Sequence, residues 1–341
     1  MNLYLKMKLI RFVLLIGCLL STTRVVAGER GEIIPVQSLP FPVKPITEPP
    51  CSYCVTQHQK NLIRGEDRVI AWLRAAHNGG AFPIRHFLAG PRVVNDTYGL
   101  FFYDPDGGYV SAFEKNYGFE FSGWRNGVMV VQSEDGTTWS ALTGMGIDGP
   151  RAGKRLKRIP SLVTSWDYWM MLHPESTTYD LFDGKKYPTH PLPTEISDES
   201  IRSRLTKDQR LVDHHPILGI EIGKKRHAFP LPEKEDRACF LDEIDNRSIA
   251  VFWYRASNTA VAFDRKVQGR LLTFYADEIS PATAPFKDKE TGTRWSMAGR
   301  GIDGPLRGVE LSWVPSIQCR WFSWSNEYPE TTLHSVPQEK P

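Results

Sequence analysis

Nowhere does the chain hold 18 consecutive apolar residues, so the sequence offers no membrane-spanning helix. It also lacks a Gly-x-Ser-x-Gly elbow, a His-Glu-x-x-His helix and a P-loop, which removes the mechanisms those motifs carry and leaves open whether it is an enzyme. Net charge is small: +3 for 341 residues. Even that excess belongs to the N-terminus, because residues 1–27 carry Lys6, Lys8, Arg11 and Arg24 and no acid, and without them the charge becomes −1. A nearly neutral body has no electrostatic footprint for nucleic acid and no run of like charge to hold an anionic membrane. The one local basic cluster, Lys154, Arg155, Lys157 and Arg158, is expected to be a solvated strand edge.

Cysteine is scarce as well. Of five, Cys18 lies in the apolar N-terminal run and Cys51, Cys54, Cys239 and Cys319 remain. An even count in an oxidising compartment permits disulfides, and four cysteines allow three pairings between which sequence does not choose.

The basic start followed by Phe12–Leu20 has the form of a secretory signal. Val25-Val26-Ala27 before Gly28 suits ordinary cleavage and uses the whole apolar run. The alternative, Leu15-Ile16-Gly17-Cys18, has the form of a lipobox and would place a lipid anchor at Cys18. Either route predicts an extracytoplasmic protein, periplasmic or secreted.

What is present is enough for a folded body: 41% hydrophobic residues, 11% aromatic and ten tryptophans. Residues 28–60, rich in proline and carrying Cys51-Ser52-Tyr53-Cys54, have the composition of an extended tether. From Leu62 to Ala76 the apolar spacing of Ile63, Val69, Ile70 and Leu73, with Trp72, predicts an amphipathic helix stopped by Asn78-Gly79-Gly80. Leu218–Ile222, Ile249–Tyr254 and Leu271–Tyr275 are short, aromatic and β-branched, as strands are. Asn126-Gly127 signals a hairpin.

The strongest signal is internal repetition. Gly136-Thr137-Thr138-Trp139-Ser140 is echoed by Gly292-Thr293-Arg294-Trp295-Ser296, and Gly146-Ile147-Asp148-Gly149-Pro150 by Gly301-Ile302-Asp303-Gly304-Pro305. At a constant offset of 155 the register then holds through Leu156 and Leu311, Trp166 and Trp321, Trp169 and Trp324, to Pro174-Glu175 and Pro329-Glu330. The first halves match more loosely, in Ala81-Phe82-Pro83 with Ala228-Phe229-Pro230 and Ala112-Phe113 with Ala262-Phe263. The expected organisation is a first repeat at 61–181, a connector at 182–213, a second repeat at 214–336 and a tail at 337–341. The expected fold class is mainly β (β-rich α+β): two tandem diverged repeats in a pseudo-twofold arrangement. Each Trp-x-x-Trp segment is expected to be a short capping helix ended by the following proline, with both indoles in the core.

The chain resembles the domain-of-unknown-function family 3179, whose domain contains two such units. The carriers are Val94-Asn95-Asp96-Thr97, Thr259–Arg265, Lys289–Trp295, Gly304-Pro305-Leu306-Arg307-Gly308 and Tyr328-Pro329-Glu330-Thr331-Thr332, within a resemblance spanning about residues 75–335. The family brings no established activity. Its members typically have Tyr-Cys-Pro-Leu-Cys-Gly where this chain has Tyr103-Asp104-Pro105-Asp106-Gly107-Gly108, and Trp-His-Glu where this chain has Gly90-Pro91-Arg92. Any thiol or histidine chemistry of relatives at those places is not available here.

Three readings of function follow. The first is an extracytoplasmic binding or structural module with any ligand cleft at the junction of the repeats, its partner a small molecule, glycan or protein. The second is a thiol- or metal-dependent redox enzyme using Cys51, Cys54 and His58, since two thiolates at that spacing reach one metal or each other; no other cofactor is expected. The third is a carbohydrate-binding protein using exposed Trp139 and Trp295. Asn95, Asp96, Asp104 and Asp106 offer oxygens for a hard cation or for turn hydrogen bonds. The two Gly-x-Gly-x-x-Gly segments are expected to be turns in which Asp148 and Asp303 bond nearby amides, and the following prolines rule out a dinucleotide site. His214-His215 is expected to be a solvent-exposed pair.

Overall fold

The computed structural model describes residues 33–35, 45–49, 63–73, 79–87, 90–116, 118–179 and 208–335. The expected signal with Cys18, the cluster Cys51, Cys54 and His58, most of the connector and the tail lie outside the described residues.

Turn residues divide the chain into short strands. The first half begins β1 (Ile33–Pro35), β2 (Ile46–Thr47), β3 (Arg68–Leu73), β4 (Gly79–Pro83), β5 (Arg92–Asp96), β6 (Gly99–Asp104) and β7 (Tyr109–Phe113). It continues with β8 (Phe119–Arg125), β9 (Val128–Ser133), β10 (Thr138–Ser140), β11 (Gly146–Asp148), β12 (Ser161–Ser165), α1 (Trp166–Leu172) and β13 (Thr177–Thr178). The second half opens with β14 (Pro216–Ile222), β15 (Lys225–Pro230), β16 (Arg237–Ile244), β17 (Arg247–Tyr254) and β18 (Thr259–Asp264). After a small hairpin, β19 (Lys266–Val267) and β20 (Arg270–Leu271), come β21 (Phe274–Ala276), β22 (Phe286–Asp288), β23 (Arg294–Trp295) and β24 (Gly301–Asp303). β25 (Trp313–Val314), β26 (Ser316–Arg320), α2 (Trp321–Glu327) and β27 (Thr332–Leu333) complete it. The fold is mainly β.

Each half builds three small sheets in the same order. β12-β3-β4-β13 corresponds to β26-β14-β15-β27, and in both the last strand joins in parallel. The hairpin strands β5-β6-β7 correspond to β16-β17-β18, and β8-β9-β10-β11 to β21-β22-β23-β24. The matching extends to single hydrogen bonds. Gly146 N–H donates to Lys154 O and Gly301 N–H to Val309 O, both at 2.8 Å, while Leu156 and Leu311 donate to Gly144 and Gly299 at 2.9 and 2.8 Å. The ladder shifts register at Thr138/Trp139 in one half and at Arg294/Trp295 in the other.

Several expectations change. Arg68–Leu73 is a strand rather than part of a helix, because it is apolar on both faces. Val69 and Ala71 pack with Trp166 and Trp169 on one side, and Ile70 and Trp72 with Phe82 and Phe101 on the other. Two pieces of the proline-rich segment are sheet edges, not free tether: Ile34 pairs with Trp124, and Ile46 lies parallel to Val94. The strand expected over Leu271–Tyr275 is broken, its start closing the β19-β20 hairpin and its end opening β21. Asn126-Gly127 does turn the β8-β9 hairpin, at φ 52° and 76°. In the glycine-rich turns the aspartates Asp148 and Asp303 are exposed and threonine hydroxyls hold the amides: Arg151 N–H donates to Thr137 Oγ1 at 3.1 Å and Leu306 N–H to Thr293 Oγ1 at 3.0 Å. Asp303 pairs with Arg294.

The Trp-x-x-Trp segments are one-face helices as expected. Residues three apart fall on the same side, so Trp166 with Trp169, and Trp321 with Trp324, are all at most 2% exposed. Glu32–Pro341 forms one compact unit, and its largest cores are shared between halves. Ile217, Ile317, Cys319, Trp321 and Trp324 of the second half pack with Leu100, Phe102, Trp124 and Met129 of the first. In return, Tyr168 of α1 enters the core of Phe252, Phe263 and Trp295, its hydroxyl donating to Ala282 O at 2.8 Å. No helix among the described residues is long and apolar enough to cross a membrane.

Gly149 and Gly304 adopt φ of 90° and 109°, and a Cβ on either would lie 2.8 Å from the Cα of Thr137 or Thr293. Gly149→Ala and Gly304→Ala should each lower stability by about 1–3 kcal/mol, read as a shift in the urea midpoint.

Candidate functional site

The shared packing leaves two clefts at corresponding places, each where the turns flanking β11 or β24 of one half meet β14 and α2, or β3 and α1, of the other. The first, about 300 Å³, is lined by Thr143, Arg155, Leu156, Arg158, Gly219, Glu221 and Trp324. The second, about 480 Å³, is lined in the matching positions by Ala298, Glu310, Leu311, Trp313, Ala71, Leu73 and Trp169. The offset of 155 relates one half's lining to the other's, and the pairing of Val69 with Pro83 and Ile217 with Pro230 aligns Ala71 with Gly219 and Leu73 with Glu221.

Their chemistry has diverged. In the first cleft Glu221 lies between two guanidinium groups, Arg155 at 2.5 Å and Arg226 at 2.9 Å, and accepts the Tyr328 hydroxyl. Burial raises the Tyr328 pKa, and the Glu221 carboxylate raises it further. Arg158 is drawn inward, donating to Leu142 O and covering the Phe113 ring at 5.1 Å. The basic cluster is therefore solvated at Lys154, Arg155 and Lys157 but not at Arg158, whose pKa burial lowers. Charge partners occupy this cleft.

In the second cleft Leu73 replaces Glu221, the carboxylate at the centre of the charge network, Glu310 replaces Arg155 and Trp313 replaces Arg158, so the ion pairs have no counterpart and the wall is more apolar. Leu162, Leu172, Val261 and Phe263 extend the apolar wall, and Arg300, Glu310 and Glu175 stand exposed at the rim. Trp169 is 1% exposed, yet its indole Nε1 has no hydrogen-bond partner among the described residues, and neither has that of Trp313. The counterpart of Trp169 shows the difference: Trp324 Nε1 donates to Thr331 Oγ1 at 2.8 Å. A volume of this size with apolar walls and charged groups at its rim has the character of a small-molecule site.

A family model described as "Protein of unknown function (DUF3179)" matches residues 45–331. The chain belongs to this family. No curated protein and no solved structure matches it. The match begins where β2 joins the sheet of β5, so of the two tether pieces that pair, β2 lies within the DUF3179 region and β1 precedes it.

None of the ligand residues expected from sequence lines the apolar cleft of this DUF3179 member. Asn95 and Asp96 lie at one end of the β5-β6 hairpin, where Asn95 exchanges hydrogen bonds with the Phe119 backbone and Asp96 accepts from Tyr98 N–H and the Tyr179 hydroxyl. Asp104 and Asp106 lie at the far end of β6, where Asp104 caps the Asp106 amide at 3.1 Å. Five residue steps at roughly 3.3 Å each separate the pairs, so their oxygens do not converge on one cation. Trp139 and Trp295 are 2% and 0% exposed and spend their indole donors on Ser133 and Asp288, which overturns their expected role as a glycan platform. His214 is exposed and His215 half-buried.

Cys239 and Cys319 are free thiols in separate cores, which overturns a bond between them. Burial raises both thiol pKa values well above the ordinary range, so neither supplies thiolate. The cleft was beyond sequence reasoning at the level of residues, although the exchange of Arg158 for Trp313 at the repeat offset was a usable signal.

Two outcomes are expected. In the folded protein at pH 8, iodoacetamide should leave Cys239 and Cys319 unmodified, with alkylation appearing only on unfolding, as read by peptide mass spectrometry. Glu221→Gln should lower stability by about 1–2 kcal/mol, less at high salt because Glu221 is partly exposed, as read from urea midpoints at two ionic strengths.

Proposed function

We propose that this protein is an extracytoplasmic binding module, formed by duplication, that holds a small molecule in the apolar cleft between its halves. The observation that carries the reading is the contrast between the clefts: one of about 480 Å³ is walled by Leu73, Leu162, Leu172, Phe263 and Trp313, while its counterpart is occupied by charge partners. The ligand has an apolar body, to cover Leu162, Leu172 and Phe263. Charges at the rim admit a polar end. The basic and apolar N-terminal run supports export, with cleavage before Gly28 or lipidation at Cys18 as the alternatives.

The test is titration with the apolar fluorophore N-phenyl-1-naphthylamine. One saturable site per chain is expected, with affinity at least about tenfold weaker in Leu162→Trp, which fills the cleft, and in Trp313→Ala. Absence of saturable binding, or binding unchanged by Leu162→Trp in a folded variant, would overturn the proposal. Mass spectrometry of the mature N-terminus checks the export route.

A further inference from the structure

Three residues far apart in sequence come together on the sheet β26-β14-β15-β27 and its neighbour. His227 lies on β15, Asp242 on β16, and His334 directly follows β27. The parallel pairing of β27 with β15 sets His227 opposite Thr332, and His334 N–H extends it by donating to Ala228 O at 2.8 Å. Asp242 Oδ2 then lies 2.7 Å from His334 Nδ1 and 3.3 Å from His227 Nε2, and one ligand atom from each residue lies within 4.8 Å of the others.

The hydrogen bonds around His227 fix its electronic state. Thr332 has one hydroxyl proton, and it donates that proton to Arg226 O at 3.1 Å. Its oxygen is left to accept at 2.6 Å from His227 Nδ1, which places the ring proton on Nδ1. Nε2 then presents a lone pair toward the Asp242 carboxylate, in a buried position where it makes no hydrogen bond. In the neutral ring two lone pairs face each other at 3.3 Å and repel unless a positive charge, a second ring proton or a metal cation, lies between them. A ring N–H tied to a second residue that is itself tied to backbone is also the arrangement that orients metal-ligating histidines.

We propose that His227, Asp242 and His334 form a binding site for a divalent first-row transition cation of the zinc class. Two imidazole nitrogens and one carboxylate oxygen suit such ions and not calcium or magnesium, which take oxygen. For metal-ligand bonds near 2.0–2.1 Å a tetrahedral edge is about 3.3 Å, the separation already present between His227 and Asp242. Phe229 and Phe240 wall the histidines on the inner side, Phe229 stacking on His334 at 4.8 Å. The side chains keep 12%, 27% and 17% exposure, which leaves the outer coordination position to water. This site shares no residue with the lining of the apolar cleft.

Equilibrium dialysis of the full chain against Zn²⁺, with Co²⁺ absorption as a second readout, tests the site in a Cys51→Ser/Cys54→Ser background. Expected are one ion per chain, a cobalt spectrum free of thiolate charge transfer, and affinity falling at least about 100-fold in Asp242→Asn and His334→Ala. Thr332→Val, on an exposed residue, should weaken binding by about tenfold by releasing the His227 tautomer. Circular dichroism confirms that each variant is folded. Absence of zinc binding in the Cys51→Ser/Cys54→Ser background, or binding that survives Asp242→Asn, would overturn the proposal.

Discussion

Two arginines hold the halves to each other, and the shared cores depend on them. Arg68, at the start of β3, donates to Ser257 O and Asn258 O at 2.6 and 2.8 Å, in the loop between β17 and β18 of the other half. Arg320, at the end of β26, donates from its side chain to Asp106 O at 3.0 Å and from its backbone to Gly107 O at 2.9 Å, in the loop between β6 and β7. The two loops occupy equivalent places. Each guanidinium donates to backbone carbonyl oxygens of the other half, and burial pushes the Arg68 pKa down to about 10. Thr259 adds a link across the same seam, donating to Thr164 at 2.8 Å. With the loops fixed, each half's small sheet and capping helix lies against the other half's hairpin strands.

The same seam gives a role to the segment 103–108, where the family resemblance led to an expectation of two cysteines. Asp106 and Gly107 occupy that stretch here, and their carbonyls receive Arg320. Backbone acceptors need no particular side chain, so the seam tolerates exchange of the residues that present them. The pair of clefts follows from the same geometry. Two equivalent junctions give two equivalent hollows, and substitution at a few facing positions filled one with charge partners and left the other apolar. The two halves thus present a filled cleft beside an open one at corresponding places, and Trp324 donates a hydrogen bond that Trp169 lacks among the described residues.

Much of this was legible in the sequence. The turn residues Asn126-Gly127, the Trp-x-x-Trp helices and the alignment at offset 155 all state local rules that the structure obeys. Arg68–Leu73 misled because apolar side chains on both faces of a buried strand leave no alternation, and Val69, Ile70 and Leu73 then fit a helical spacing as well. The acidic residues of β5 and β6 misled because nearness in sequence becomes a full strand length once β6 is extended. His227, Asp242 and His334 gave no signal, since a parallel strand pairing near the end of the chain brings them together and no spacing motif encodes that. Cys239 and Cys319 show the same limit: their residue type permits a bond, and only the separation of their cores denies it.

The exchange of capping elements between halves also governs how the molecule must form. The core around Leu100, Trp124 and Met129 is closed by Trp321 and Trp324, and more than half of the chain intervenes between the two groups. Closing so long a loop precedes the burial that rewards it, so native contacts of high contact order dominate and the first half has no finished core while synthesis continues. The fold is reached only when the last helix arrives.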